Sequence, residues 1–578
     1  MDRRAVWAII LMMVIAIAPA LIFRRPPAQP GTPAAGATDT AAPAPAAPNA
    51  AGAPAAPRPG PTPGADTAAH APAQVAAQED TVPVKSPLFI YEVGTRGGRL
   101  VNVTLTQYKS MAPGSKGQPA QLLPPGSDLL APTLVVGNDS VHIRDWKLTP
   151  SAPSLTASGA PATLKLTGAQ GNVGVELDYT FVPDSYRVNV TGHVTGVGPN
   201  GGQLLVSLGN GLANTEADSN ENHRAMALVT KQNSAQRTDF SSLKPGEPKT
   251  LSGPFEWAAV KSKYFVTALF AYDSTGGQIS GATAVAPPNA GKHPASAEVQ
   301  VSLPVGPSGA FQYSLYAGPM EHDRLRAMGH DFDDVNPYGW PGFRTLIRFF
   351  AVPVRALLVW MHTNLGIAYG LCLIIFGILV RVLLWPLNQK AMRASMAMQA
   401  IQPLVKDIQE RYKDNPQMLQ QEMFRLYKEH HVNPFGGCWP MLVPMPILLA
   451  LFFVFQNTIE LRGASFLWLP DLSRPDPYYI IPVIMGLSMF GLSKVGQLGM
   501  EPNPQMKTML YVMPAVMTFL FINFASGLNL YYAVSNIASI PQQYMLARER
   551  MRRQPPAAPP VEVRTKGGGA GGGRRRRQ

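Results

Sequence analysis

The spacing of apolar and polar residues divides the chain into stretches of different character, and the first is a hydrophobic run. Residues 5–23 are apolar and carry two arginines on each flank. About 20 apolar residues suffice to cross a bilayer. We predict an uncleaved N-terminal transmembrane anchor over residues 1–25. A cleavable signal peptide is the alternative, because Ala16-Ile17-Ala18 resembles a cleavage site, although Pro19 would follow the cut.

The next stretch, residues 26–84, lacks any apolar periodicity. It consists mainly of Ala, Pro, Gly and Thr. Such a chain cannot bury enough surface to offset the entropy lost on ordering. We predict a disordered, extended linker here.

Alternation of apolar and polar residues starts near residue 85 and continues to about residue 320. Segments such as LFIYEV, VELDYTFV and YRVNVTGHV are rich in β-branched and aromatic residues and are separated by turn-forming residues. A period of two predicts antiparallel strands. The length of the region favours one large all-β sandwich domain over residues 85–320.

One polar cluster inside this region has the residue types of a catalytic site. Glu216, Asp218, Glu221 and His223 are close in sequence, in a stretch typical of a polar loop. The other histidines of the region are scattered and lack metal-binding spacing. We interpret the cluster as structural and predict no enzymatic activity; a hydrolytic or isomerase site is the less favoured alternative.

A mixed aromatic and basic stretch follows at residues 338–360. Arg344, Arg348 and Arg355 recur at near-helical spacing beside an apolar face. This pattern is typical of a helix that lies in the membrane interface. Pro341 and Pro353 make a full span improbable.

The C-terminal part contains long apolar runs with internal prolines. The five runs cover residues 366–386, 439–459, 478–493, 509–525 and 527–545. Several are short for a hydrocarbon core of about 30 Å, which implies local thinning or steep packing. Together with the anchor they predict an α-helical polytopic membrane protein with six transmembrane helices, five of which form a core over residues 366–545.

Basic residues set the predicted orientation. The chain carries a net charge of +13, and the tail at residues 546–578 ends in four arginines. Cationic segments stay in the cytosol. Counting back through six spans puts both termini and residues 388–432 in the cytosol. The all-β domain and residues 460–477 then lie outside.

Arg381 lies inside the otherwise apolar run at residues 371–387. A guanidinium cannot lose its charge in a protein, and near the middle of a membrane helix it costs roughly 2.5–3.5 kcal/mol on insertion scales. The other apolar runs supply no obvious Asp or Glu at matching depth. We predict a water-containing, positively charged groove around Arg381. An arginine that extends to the cytosolic headgroups is the alternative.

The cytosolic segment at residues 388–432 has the pattern of two helices broken at Asp414-Asn415-Pro416. Methionines line one side of it, and a methionine-rich face adapts to varied apolar ligands. We predict contact with a nascent chain at Met392, Met396, Met418 and Met423. Packing of the two helices against each other is the equal alternative.

The sequence lacks signals for metal or nucleotide chemistry. Its two cysteines, Cys372 and Cys438, do not suggest a disulfide framework or a metal site. No Walker motif or phosphate-binding loop is present. We predict no cofactor. The basic tail predicts an anionic partner, either RNA or anionic lipid.

Several stretches from Arg381 onward resemble the YidC family of membrane protein insertases in its Gram-negative bacterial form. In order they are VRVLLWPL, QPLVKDIQERYKDNPQMLQQEMFRLYKEHHVNP, FGGCWPMLVPMPILLALFFV, DPYYIIPVIMG and SGLNLYYAVSNIASIPQQ. The all-β region matches more loosely, through TRGG at residues 95–98 and KSKYFVTAL at residues 261–269.

The resemblance implies an inner-membrane insertase and chaperone with a periplasmic β-supersandwich domain and a hydrophilic groove open to the cytosol and lipid. The implied partners are nascent membrane proteins, the Sec translocon, the ribosome and membrane lipids, with the monomer as the working unit. A secondary transporter or channel for an anionic solute is the alternative function.

The resemblance also assigns residues. The family's groove arginine corresponds to Arg381 and its groove tyrosine to Tyr532, with Tyr531 adjacent. A polar residue frequent one turn before the arginine is Gly377 here. Further polar residues expected to line the groove are Asn523, Asn529, Ser535, Asn536 and Gln542, with neutral packing contacts as the equal alternative. The residues expected to contact ribosomal RNA are Arg574, Arg575, Arg576 and Arg577.

Overall fold

The computed structural model describes residues 80–271, 278–340, 342–432, 445–499 and 504–553. The predicted anchor, almost all of the predicted linker and the arginine-rich end of the tail lie outside the described residues. The side chains of Met392 and Met396 also lie outside them.

The predicted all-β region folds into strands from Thr81 to Pro319. In chain order they are β1 (Thr81–Lys85), β2 (Phe89–Gly94), β3 (Leu100–Lys109), β4 (Pro119–Gln121), β5 (Pro132–Val136), β6 (Asp139–Val141), β7 (Thr149–Pro150), β8 (Leu155–Thr156), β9 (Ala162–Gln170), β10 (Val173–Phe181), β11 (Arg187–Thr195), β12 (Gly202–Gly209), β13 (Ala227–Lys231), β14 (Ala235–Asp239), β15 (Pro248–Phe255), β16 (Trp257–Lys261), β17 (Phe265–Phe270), β18 (Ile279–Val285), β19 (Glu298–Val305) and β20 (Ala310–Pro319). We call residues 80–319 the β-domain.

The strands form three sheets. Their orders are β4-β3-β2-β1-β8, β14-β13-β16-β17-β20-β11-β10-β9-β7 and β15-β18-β19-β12-β5-β6. Strand β10 illustrates the predicted period of two, because Val175, Leu177, Tyr179 and Phe181 are buried while the residues between them are only half-buried. Alternate side chains of a strand point to opposite faces, so β10 contributes one face to the domain core.

The polar cluster near residue 220 is structural, and part of it is a helix rather than a loop. Helix α1 (Ser219–Ala225) begins after Asp218, whose carboxylate accepts hydrogen bonds from the Asn220 and Glu221 backbone amides. Such a cap satisfies backbone donors at a helix start. Glu221 pairs with Lys263 at 2.8 Å, and Glu216 pairs with Arg462.

The C-terminal part of the chain is helical. Its helices are α2 (His322–Ala327), α3 (Arg344–Leu365), α4 (Tyr369–Leu383), α5 (Trp385–Ala400), α6 (Gln402–Arg411), α7 (Pro416–Glu429), α8 (Met445–Asn457), α9 (Ile480–Gly496), α10 (Pro504–Phe521) and α11 (Ser526–Arg553). Each of the five predicted apolar runs contains most of one helix, although α9 and α10 extend beyond the predicted bounds of their runs. Helix α11 extends beyond its run into the predicted basic tail.

Helix α3 is continuous through Pro353. Within the described ranges it is the one helix that is both long and apolar enough to cross a membrane, judged by length and composition. Shorter apolar helices are Tyr369–Leu383, Met445–Asn457, Ile480–Gly496 and Leu510–Phe521. We expected Pro353 to act against a full span, but a proline costs a helix mainly one hydrogen bond and local crowding, and here the neighbouring turns remain helical.

The predicted helical hairpin has one more break than expected. Its second helix is α7, and the Asn415 side chain caps it by accepting a hydrogen bond from the Met418 amide at 3.2 Å. The first arm consists of α5 and α6, which are separated at Ile401. Pro403 follows this break at the second position of α6, where a missing amide is tolerated.

Buried charge pairs join the β-domain to the membrane helices, in a region we call the junction (residues 320–340, α3 and residues 458–477). Arg355 is only 3% exposed, and its guanidinium donates to both Asp323 carboxylate oxygens at 3.1 Å and to Glu460. Arg348 pairs with Asp333 and Asp334. Two of the three arginines that we assigned to the membrane interface therefore bind carboxylates of the junction.

Arg462 makes the most extensive of these contacts. Its Nε donates to both carboxylate oxygens of Glu216 at 2.9 Å, and its two terminal nitrogens donate to the carbonyls of Lys109 and Thr215 at 2.8 and 2.9 Å. Both charged side chains are less than a tenth exposed. The loop that precedes α9 is thereby fixed to the β-domain.

We predict that Arg462→Met destabilises the junction by about 3–5 kcal/mol, because it leaves the buried Glu216 carboxylate without a cationic partner. The measurement is the midpoint of thermal unfolding of the full-length protein in detergent. Lys147→Met, which removes an exposed pair with Asp80, is the control and leaves the midpoint unchanged. The double variant with Glu216→Gln recovers part of the loss; an unchanged midpoint for Arg462→Met would contradict the assignment.

The junction also has a predicted pH response. Burial, with the nearby Arg355 charge as the second cause, lowers the pKa of His322. The unfolded chain therefore binds a proton near about pH 6.5 that the folded protein does not bind. Stability should fall as the pH drops below that value.

The measurement is the unfolding midpoint of the wild type and His322→Gln at about pH 7.5 and about pH 5.5. We expect the midpoint of the wild type to fall more than that of the variant over this interval. An equal fall in both proteins would assign the response to other groups.

Candidate functional site

Arg381 lies near one end of α4, on the side away from the junction. The first turn of α4 packs against the loop before α9, since a Cβ on Gly370 would lie 2.1 Å from the Phe466 ring. Arg381 is twelve residues after Tyr369, and at 1.5 Å per residue this is roughly 18 Å along the helix. The arginine is thus near the end of α4 farthest from the β-domain.

The partner of Arg381 is a hydroxyl group on α11. Its Nε donates to Ser535 Oγ at 2.7 Å. Residues four apart lie on one face of a helix, which puts Tyr531, Ser535 and Ser539 on the same side of α11. Tyr531 is buried and packs against Phe376 of α4, with ring centroids 5.8 Å apart. This face of α11 therefore combines aromatic packing with hydroxyl groups next to the guanidinium.

The charge of Arg381 has no described carboxylate partner. Its side chain is partly buried, and among the described residues its hydrogen-bond partner is Ser535. A hydroxyl accepts a hydrogen bond but does not neutralise a charge. The cost of removing the cation from bulk water is therefore met only in part by the protein, in contrast to Arg355 and Arg462.

Gly377, one turn before Arg381, lies against α11. A Cβ added there would meet Val534 Cγ1 at 3.2 Å and Tyr531 Cδ2 at 3.6 Å. The space that a polar side chain would need is occupied by Val534. Glycine instead allows the two helices to approach each other beside the arginine.

The remaining predicted groove residues are distributed along α11. Gln542 donates to the Trp385 carbonyl at 2.9 Å, and Asn536 donates to Ser488 Oγ of α9 at 3.2 Å. Asn529 is buried and donates to the Phe521 carbonyl at 3.0 Å. Tyr531, Ser535 and Gln542 thus lie on the side of α11 that faces α4 and α5, next to Arg381, whereas Asn536 faces α9.

Tyr532 and Asn523 occupy other surroundings. Tyr532 is half-buried and its ring lies 5.4 Å from that of Phe521, in an edge-on arrangement. Asn523 is exposed and lies just after the end of α10, near the junction. Ser535 is more than two turns into α11, away from the junction. The structure does not bring Asn523 to Arg381.

Ser488 is a polar residue next to α11 that was not predicted from the sequence. This residue is buried in α9, accepts from Asn536 and donates to the Met485 carbonyl at 2.7 Å. An isolated hydroxyl in an apolar run was the available signal. It is a weak one, because serine also bonds to its own helix backbone.

The outer face of α4 next to Arg381 is exposed and apolar. Its exposed large side chains are Leu371, Ile375, Ile378, Leu379, Val382 and Leu383. Monomeric soluble proteins rarely expose contiguous apolar surface of this kind. The guanidinium is therefore adjacent to a surface suited to lipid chains or to an apolar helix.

The predicted contact residues of the hairpin are only partly described. Met418 is exposed and Met423 is half-buried on α7. Residues 574–577 lie outside the described residues. Within the part of the chain that the structure covers, no group of three or more His, Cys, Asp or Glu side chains is arranged to hold a metal.

Two family models match the chain. The model described as 60Kd inner membrane protein matches residues 360–554, and the model of the YidC periplasmic domain matches residues 81–353. A solved structure, described as an active YidC insertase crystal structure with the first transmembrane domain resolved, is 17% identical. The match covers 81% of this chain and 92% of that chain with a TM-score of 0.33.

Curated relatives extend the match over most of the chain. The membrane protein insertase YidC of Chlorobaculum parvum is 30% identical over 493 residues, which are 80% of this chain and 82% of that protein. The membrane protein insertase YidC of Nitratidesulfovibrio vulgaris is 30% identical over 511 residues, which are 83% and 88% of the two chains. Because two relatives match at this identity over more than four-fifths of their own length, the chain belongs to the membrane protein insertase YidC family.

Proposed function

We propose that this protein inserts membrane proteins into the bacterial inner membrane and assists their folding, with Arg381 as the charged group of a hydrated receiving groove. The observation that carries the proposal is the partly buried guanidinium whose described partner is the Ser535 hydroxyl alone. Such a cation is available to water or to an incoming carboxylate. It has the chemistry to receive an acidic polypeptide segment.

The groove addresses the main barrier to insertion. A polar segment that crosses hydrocarbon loses the hydrogen bonds that it makes with water. Water and a cation inside the membrane shorten the apolar distance that the segment must cross. The exposed apolar face of α4 lies next to Arg381, so the hydrophobic helix of the substrate can move into lipid by partition.

Contacts at the two ends of the helices support the proposed orientation. Near the β-domain, the backbone amides of Ser526 and Gly527 donate to the carbonyls of Arg474 and Leu472. At the other end, Arg550 donates to the carbonyls of Gly496 and Leu498 at 3.0 and 3.2 Å. Residues 458–477 therefore share a side with the β-domain. The end of α9 and the end of α11 share the opposite side, which we propose to be cytosolic.

The proposed topology has six transmembrane helices, with the anchor at residues 1–25 and five spans in the core. In this orientation α5–α7 face the cytosol, where the exposed Met418 can contact a nascent chain. We propose that the protein works as a monomer, alone or beside the Sec translocon. The basic tail then contacts the ribosome.

We predict that Arg381→Ala lowers insertion of a single-span substrate with an acidic translocated segment by about tenfold. The reason is the loss of a charge-assisted hydrogen bond worth about 1.5–3 kcal/mol. A matched substrate with a neutral segment should lose less than about twofold, and Arg381→Lys should retain most insertion. The measurement is the fraction of substrate protected from protease after insertion into proteoliposomes.

Arg393→Ala is the matched control, because this arginine is on α5 with a side chain 57% exposed. It should leave both substrates unaffected. Equal losses of the acidic and neutral substrates in Arg381→Ala would remove the electrostatic role. Flux of an anionic solute in vesicles that insert no substrate would favour the transporter instead.

The tail gives a separate prediction. Replacing the four arginines at residues 574–577 by glutamine should weaken co-sedimentation with ribosomes most strongly at low salt, since phosphate contacts release counter-ions. Replacement by lysine keeps the charge and should preserve binding. Identical binding by all three proteins across a salt series would exclude a ribosomal contact by these arginines.

A further inference from the structure

A second polar site lies at the junction, between the β-domain and the membrane helices. A cavity of about 680 Å³ is bounded on one side by α1, β14 and the end of β16. On the other side it is bounded by the end of α8, residues 473–475 and residues 523–525. Ligand sites commonly have volumes of about 300–1,000 Å³ and form where domains meet.

The β-domain side of the cavity carries more cations than anions. Its charged lining residues are Arg224, Arg237, Lys261, Lys263, Asp218 and Glu221. The Glu221 carboxylate pairs with Lys263 at 2.8 Å, and Asp218 caps α1. Both lining carboxylates are therefore already engaged.

Lys261 is a buried lysine for which the cavity lining supplies no counter-ion. It is 3% exposed, and its Nζ donates to Asn336 Oδ1 at 2.8 Å. Among the described residues no carboxylate forms an ion pair with it. Burial, strengthened by the Arg237 charge, lowers the pKa of Lys261 well below its usual range. A bound anion would supply the missing charge and favour the protonated lysine.

The opposite side of the cavity is aromatic. Phe452 and Phe455 come from α8, and Phe524 comes from the α10–α11 connection. The Phe452 and Phe524 rings are 5.7 Å apart. In the proposed orientation these residues lie at the outer ends of the membrane helices, where a headgroup meets acyl chains. A cationic side facing an aromatic side suits a ligand with an anionic group and an apolar body.

We propose that this cavity binds an anionic phospholipid of the phosphatidylglycerol type, with the phosphate near Lys261 and Arg237 and the upper acyl chain against the phenylalanines. A free phosphate would use the cations but not the aromatic side. The lipid accounts for both sides. A bound lipid phosphate would also explain the different surroundings of two nearby lysines, because Lys263 pairs with Glu221 whereas Lys261 has no carboxylate partner among the described residues.

The test is native mass spectrometry of the full-length protein released from detergent, with added phosphatidylglycerol or phosphatidylcholine. We expect the wild type to retain phosphatidylglycerol preferentially. Lys261→Met should reduce that retention by about tenfold, the range for losing a hydrogen bond to a charged group. Lys249→Met, at an exposed position of β15 in the same domain, is the matched control and should retain the lipid like the wild type.

Arg237→Gln is the second variant, because this side chain is 38% exposed and pairs with Asp239 at the surface, where the loss of a pair costs little stability. It should give an intermediate loss of phosphatidylglycerol, with an unchanged unfolding midpoint in detergent. Millimolar inorganic phosphate should not displace the lipid.

Three results would overturn the proposal. One is equal retention of both lipids by the wild type, and another is unchanged retention in both Lys261→Met and Arg237→Gln. The third is complete displacement by inorganic phosphate, which would assign the site to a free anion. A crosslinker placed at position 455 gives one further readout. If Lys261→Met reduced crosslinking of a nascent chain to that position while lipid retention stayed constant, the cavity would bind the substrate polypeptide rather than a lipid.

Discussion

The requirement that a buried cation be balanced governs this structure. At the junction the requirement is met within the chain, because Arg355 lies between Asp323 and Glu460 and Arg462 binds both oxygens of Glu216. Arg381 is treated differently, since its described partner is a neutral hydroxyl. Removing one member of a buried pair is far more costly than removing an exposed pair. The junction pairs therefore stabilise the fold, whereas the guanidinium of Arg381 remains available to bind an anionic group.

This contrast separates structural charges from functional ones better than sequence position does. Arg348 and Arg355 looked like interfacial cations, and Glu216, Asp218 and Glu221 had the residue types of a catalytic cluster. Both sets are engaged in pairs or caps. Asp218 caps the helix that follows it, but the arginines, Glu216 and Glu221 pair with residues of other elements, and such partners cannot be inferred from local pattern. Arg381 and Lys261 are largely buried cations without a described carboxylate, and they are the ones to which we assign ligands.

Local patterns predicted the elements well, and long-range pairing was the part that could not be predicted. Period-two alternation in VELDYTFV predicted β10, and the apolar runs predicted apolar helices, because these patterns depend on neighbouring residues. The division into three sheets depends on contacts such as β11 with β20 and β12 with β5, which alternation does not encode. The break at Ile401 and the continuity of α3 through Pro353 also depend on the surroundings. At the candidate site, Arg381, Tyr531 and Ser535 could be predicted, whereas the Val534 side chain that fills the space next to Gly377 could not.

The two ends of the membrane helices differ in how completely they are packed. Near the β-domain, glycines allow aromatic rings to contact the backbone: Phe466 lies on Gly370 and Phe455 on Gly527, at distances that exclude even a methyl group. The Asp476 carboxylate in the same region is fully buried and accepts from the Tyr478 and Ile481 amides at 3.0 and 2.8 Å. Around Gly370, Gly527 and Asp476 this close packing leaves little room for water, although the cavity next to Lys261 lies at the same end of the helices. Arg381 lies roughly 18 Å farther along α4, where its charge is only partly balanced. This difference fits the proposed function, in which a polar segment enters from the end opposite the β-domain and is held there by the charge of Arg381.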